Sequence, residues 1–190
     1  MIEQVFQSTQ RHTVVAPQDN NYGCVFCTLE YLTGVSRNQI AKEIGHDGSD
    51  KIDDAPEPHC YATLESYESI HWLYKRGLYA VELYTREYLK QAYEAIQKPY
   101  FAKRYHPTEK ELIAMLTGKS AMICVKSKKF KDSLHAVAYI AGIILDPRDG
   151  HVYNIADFEL IGVTLIPNLD PYKRLKEIYV AQKQEQLTVV

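Results

Sequence analysis

Apolar residues recur at helical spacing through much of the chain before residue 120. After it they gather into short runs bounded by turn residues, and the predicted elements follow that change. Val25, Leu29 and Leu32 mark one face of a helix from about Cys24 to Thr33. Gly34 stops it, and such a helix is expected to be central and buried. Ser36 reads as the N-cap of a short helix, Arg37 to Ile44, closed by Gly45. A further helix is expected over Leu64–Arg76, ended by Gly77, and Leu78–Tyr84 reads as a strand or an extended connector. Thr85 caps a helix through Glu87–Gln97, broken at Pro99. Thr108-Glu109-Lys110-Glu111 forms a capping box for a helix reaching Leu116-Thr117. Strands follow at Ser120–Val125, Leu134–Ile140, Ile143–Leu145, Val152–Ile155 and Phe158–Ile166, then a helix at Pro171–Gln184. At the other end, Thr13-Val14-Val15-Ala16 is β-branched and apolar and reads as a strand or an extended lead-in, ended by Pro17. Helices first and an antiparallel sheet afterwards make an α+β pattern.

Length adds that 190 residues form one domain, 1–190, large enough to bury a core. A net charge of −2 demands neither nucleic acid nor an anionic membrane as partner. The start, Met1 to Gln7, lacks a basic stretch followed by an apolar run, and nothing is apolar over a membrane's thickness, so a cytoplasmic protein is expected. Cys24 and Cys27 have the CxxC spacing, but a zinc site needs a second ligand pair. His59-Cys60 is adjacent rather than spaced, and Cys124 lies inside a strand-like run. Polar Gln18 to Tyr22 is a poor strand to feed a redox CxxC. The acidic, turn-rich residues 46–60 lack the glycine and the bidentate glutamate of a calcium loop, and read instead as a solvated loop that can border a cleft. No Gly-rich phosphate loop appears. No metal or cofactor is therefore expected.

The chemistry concentrates where polar Gln18-Asp19-Asn20-Asn21-Tyr22-Gly23 runs into Cys24. A helix N-terminus offers unpaired N–H groups and partial positive charge, which favour thiolate over thiol. A lone cysteine there is by default a small buried residue, so a partner decides. Of seven histidines, His12, His46, His59, His71, His106 and His151 fall in loops, turns or helix faces. His135 opens an apolar strand after polar Lys131-Asp132-Ser133 and can point into a cleft. Asp146 ends the next strand, across a short hairpin, where neighbouring antiparallel strands can bring the two side chains together. Alone it would be an Asp-Pro turn residue. A glutamine N–H from Gln18 and the backbone N–H of Cys24 could serve an oxyanion. Lys126-Ser127-Lys128-Lys129-Phe130-Lys131 is either a solvated connection, the favoured reading, or a basic rim for acidic peptides.

With Gln18 six residues before Cys24, the His135-Ala136-Val137-Ala138 run and Leu145-Asp146-Pro147, the chain resembles the papain-like cysteine peptidase superfamily. Its pattern is closest to the compact bacterial branch that processes bacteriocin leaders. The resemblance implies a helical part whose central helix starts at Cys24, packed on a C-terminal antiparallel sheet. It also implies a catalytic set of Cys24, His135, Asp146 and Gln18, no cofactor, and a peptide or protein substrate. Other thiol acyl transfer, by a deamidase or transglutaminase-like enzyme, is compatible with the same set, as is an inactive papain-like binding module. Unlike papain, the chain has no Cys-Gly-Ser-Cys-Trp run. Phe26 is expected to do the packing instead, and Cys27, one turn on, to be buried.

Overall fold

The computed structural model describes residues 15–18, 20, 22–50, 63–97, 106–128 and 133–188. The expectations for Thr13, Val14, most of the 46–60 loop, Pro99 and Lys129 to Lys131 lie outside these residues, as do His12, His59 and Cys60. Helices α1 (Cys24–Thr33), α2 (Arg37–Ile44) and α3 (Ser66–Lys75) precede strand β1 (Val81–Tyr84). Helices α4 (Arg86–Ala95) and α5 (Glu109–Met115) lead into strands β2 (Ser120–Lys126), β3 (Leu134–Ile140), β4 (Ile143–Leu145), β5 (Val152–Tyr153) and β6 (Leu160–Leu165), and α6 (Pro171–Thr188) closes the order. This is an α+β architecture.

The helix boundaries follow their caps. Ser36 accepts from the Gln39 amide and Thr85 from the Tyr88 amide, and Thr108 with Glu111 closes the expected box. Glu65 and Glu68 form a second box, at the start of α3. Gly34 turns left-handed at φ 76°, where a side chain would be strained. Arg174 of α6 meets the carbonyls at this end: its Nε donates to Tyr31 O at 2.6 Å, and its Nη2 at 3.1 Å to Glu30 O, which also accepts from Gly34 N. A cation at a helix C-terminus also opposes the macrodipole favourably.

The six strands lie in the order β1-β6-β2-β3-β4-β5 with antiparallel pairings throughout. Alternation along the strands gives the sheet two apolar faces. Met122, Ala136, Ala138 and Ile140 pack with Phe26, Leu29, Leu32 and Trp72 from the α1–α3 side. Ala121, Ile123, Val125, Val137 and Tyr139 pack with Leu112 and Leu116 of α5 on the other. Cys27 and Phe26 are buried beside the sheet, the packing expected of them.

Val15 and Ala16 lie outside any strand, which leaves the lead-in alternative. Two local expectations are corrected. The strand expected to run to Ile155 stops at Tyr153, because Asn154 and Asp157 form a capping box around a single 3-10 turn at Ile155–Asp157. The last strand therefore begins only at Leu160.

Candidate active site

Three separated stretches meet at the start of α1. The first is the lead-in, tethered on both sides. Val15 N donates to Gly150 O (3.3 Å) and Gln18 N to Pro147 O (2.6 Å), while Tyr31 Oη reaches Ala16 O and Arg37 Nη1 reaches Pro17 O. Asn20 then folds an Asx turn, its Oδ1 accepting from Tyr22 N (3.0 Å) and Gly23 N (2.6 Å). A Cβ on Gly23 would sit 2.8 Å from that same oxygen, so this turn requires glycine for space. No side chain caps the first turn of α1, which leaves its amides open to the site.

The second stretch is the start of β3, which carries His135. The third is the turn after β4, which carries Asp146. His135 Nε2 lies 2.7 Å from Asp146 Oδ1, and a hydrogen bond joins His135 to Cys24. With Nε2 engaged by the carboxylate, Nδ1 is the nitrogen left for the thiol. Asp146 is fully buried and the His135 side chain is 15% exposed. Its own turn also supports the carboxylate: Arg148 N donates to Oδ1 at 2.9 Å, and Arg148 Nη2 stands 3.1 Å from Oδ2 as a charge contact.

The electrostatics follow from this packing. Burial alone would push the Cys24 thiol up. The hydrogen bond and charge of His135, then the amides of Ala136 and Val25, outweigh it, and the thiol lies below its usual range. Burial would lower His135, but Asp146 and Cys24 together hold it at about 9. Burial would raise Asp146, and His135 with Arg148 keeps it below the ordinary carboxylate range. The arrangement therefore favours a thiolate beside an imidazolium, a nucleophile with its proton donor alongside.

Of the four residues singled out from sequence, Cys24, His135 and Asp146 form one hydrogen-bonded chain. Gln18 sits on the Asp146 turn rather than in that chain. Its Nε2 donates to Asn20 O at 2.7 Å, which commits one of two N–H groups. Sequence reasoning missed Arg148, Asn20 and the Ala136 amide. An Asp-Pro turn hints that the amide two residues on faces the carboxylate; nothing local signals the guanidinium. Of the lysines in the basic stretch, Lys126 pairs with Glu159 and Lys128 lies 4.6 Å over the Phe158 ring. Among the described residues no cluster of three His, Cys, Asp or Glu could hold a metal ion, and no helix is long and apolar enough to cross a membrane. No protein-family model matches the sequence, and no curated protein is significantly similar to it.

Proposed function

We propose that this chain is a papain-like cysteine peptidase. The observation that carries the reading is the Cys24–His135–Asp146 chain at an uncapped helix start. Cys24 Sγ, already ionised, attacks the carbonyl carbon of a peptide bond. The oxyanion takes hydrogen bonds from the Cys24 amide and from the N–H of Gln18 that Asn20 leaves free. Protonated His135 then gives its proton to the leaving amine, and Asp146 holds the ring in place. Water, deprotonated by the now neutral His135, attacks the acyl carbon, and the acid leaves as the Cys24 thiolate and protonated His135 are restored. The substrate is a peptide or protein. Cys24, Cys27 and Cys124 are free thiols, the state a reducing cytoplasm maintains, and that is the compartment assigned.

The test uses a mixed peptide library digested by the purified protein and read by mass spectrometry. Cleavage at discrete sites is expected, and Cys24→Ala should lower the rate by about four orders of magnitude or more. Equal cleavage by that variant overturns the reading. Glutamine-to-glutamate conversion without cleavage would instead identify a deamidase.

A further inference from the structure

A cavity of about 220 Å³ opens beside Cys24, and its walls include Val25 and Ala136, the residues whose amides face the Cys24 sulfur. The sheet forms its floor. The register sets Tyr84 opposite Gly162, Gly162 opposite Cys124, and Cys124 opposite Ala136. Three small side chains in a row leave a hollow between the Tyr84 ring and the start of α1. A Cβ on Gly162 would stand 2.7 Å from Tyr84 Cδ1 and 2.9 Å from Leu83 O, so glycine lets the ring lie flat at the far end. Leu64 and Met122 line the cavity with apolar surface. At this volume it suits one long side chain rather than a cofactor.

Two glutamates, Glu65 and Glu82, interrupt this apolar lining, and the Glu65 side chain is taken up by the capping box at the start of α3. Glu82 stands in the neighbouring row, opposite Thr164, and lines the same cavity. Its hydrogen bonds come from neutral hydroxyls, Tyr84 Oη and Ser66 Oγ (3.5 Å). Elsewhere Glu30 pairs with Arg37, Glu43 with Arg76, Glu68 with His46, Glu159 with Lys126 and Glu177 with Arg174. Among the described residues, Glu82 has no such cation, and a carboxylate retains acceptor capacity beyond two hydroxyls.

We infer that this cavity receives a lysine or arginine side chain of the substrate, close to the bond cleaved, and that Glu82 selects it. The inference rests on the cysteine-peptidase reading. The aliphatic stem lies along Leu64 and Met122 while the charged head meets Glu82, as long cationic side chains partition between apolar and polar surroundings. A charge-assisted bond to Glu82 replaces water on both partners, and an uncharged side chain of equal length forgoes it.

The experiment measures labelling of Cys24 rather than turnover. Paired peptidyl acyloxymethyl ketones carry lysine or norleucine, one pair for each of the two residues before the ketone. Cys24 Sγ displaces the carboxylate from the methylene, a thioether forms, the carboxylate leaves as an anion, and intact mass reports the rate. The lysine probe should label about tenfold faster than the norleucine probe at one position, a difference of about 1.4 kcal/mol. The ratio should fall to near one in Glu82→Gln, and Glu82→Lys should favour a glutamate probe. Taking the ratio within each variant cancels any general effect of the substitution on the site. Equal labelling within both pairs in the unaltered protein, or a ratio unchanged in Glu82→Gln, overturns the inference and leaves the peptidase reading standing. If no probe labels Cys24, and iodoacetamide modifies it no faster than Cys124, the peptidase reading falls and this inference falls with it.

Discussion

Cys24 and Cys124 are both partly exposed and line the same corner of the molecule, yet their acidities run in opposite directions. Cys24 is held below the usual thiol range, whereas Cys124 is pushed up to about 12. Burial opposes ionisation at both, so burial does not separate them. The element does. Cys24 opens α1, where amides lack helical partners, and His135 faces it. Cys124 lies mid-strand in β2, flanked by Ala136 and Gly162, and the charges it meets are negative ones, the Cys24 thiolate and Glu82. One thiol is surrounded by donors and a cation, the other by carbon and anions. A cysteine is thus made a nucleophile by the ends of the elements around it more than by its own exposure.

The largest expected effect is to erase this difference. His135→Ala removes the hydrogen bond and the cation while burial still opposes the thiolate, so Cys24 moves toward Cys124 in behaviour. Alkylation of Cys24 by iodoacetamide at pH 6 should slow by about a hundredfold, since each lost unit of acidity costs tenfold in thiolate. Peptide mapping of both cysteines in one reaction checks it.

A smaller effect sharpens the comparison by pH. Below about 9 His135 keeps its proton, and above it the ring is neutral. Turnover needs that proton for the leaving amine, so kcat/KM should fall about tenfold per unit above pH 9. Alkylation of Cys24 needs only the thiolate and should hold its rate there. Cys124 should climb steadily toward pH 12. Turnover and alkylation failing together at high pH would contradict the assigned role of His135.

The smallest effect lies one residue further out. Arg148→Gln deprives the buried Asp146 of its cation contact while retaining the amide bond. Stability at pH 7 should drop by about 1 kcal/mol in urea unfolding. A depressed carboxylate stabilises the fold above its unfolded pKa, about 3.9, and that contribution disappears as pH falls through the folded value. Arg148→Gln lets the folded value rise, so the acid transition should shift to higher pH.

Much of this arrangement was legible because it is local. Ser36, Thr85 and Thr108 cap helices through amides three residues away, and a cap carries its own signature. Cys24 at a helix start, His135 at a strand start and Asp146 after the next strand were readable for the same reason. The hairpin joining β3 to β4 is short, so His135 and Asp146 could be paired on paper. What remained illegible depends on distant contacts. Nothing near Glu82 states that β1 will pair with β6, so the cavity it lines could not be anticipated. Arg148 reaches Asp146 through a long flexible side chain, and Arg174 crosses to the end of α1, both by packing that local spacing does not encode. The lead-in stayed open between strand and connector because Val15 and Ala16 have strand chemistry, whereas their hydrogen bonds go to Gly150, Tyr31 and Arg37 rather than along a neighbouring strand.

Those tethers give the site a place in time. Gln18 and Cys24 leave the ribosome before Pro147 and Gly150, which hold the lead-in, and before His135 and Asp146, which favour the thiolate. Until then Cys24 is an ordinary thiol on a growing polypeptide. A thiol armed by strands that follow it in the chain gains its acidity only once those strands have been made and folded back onto it.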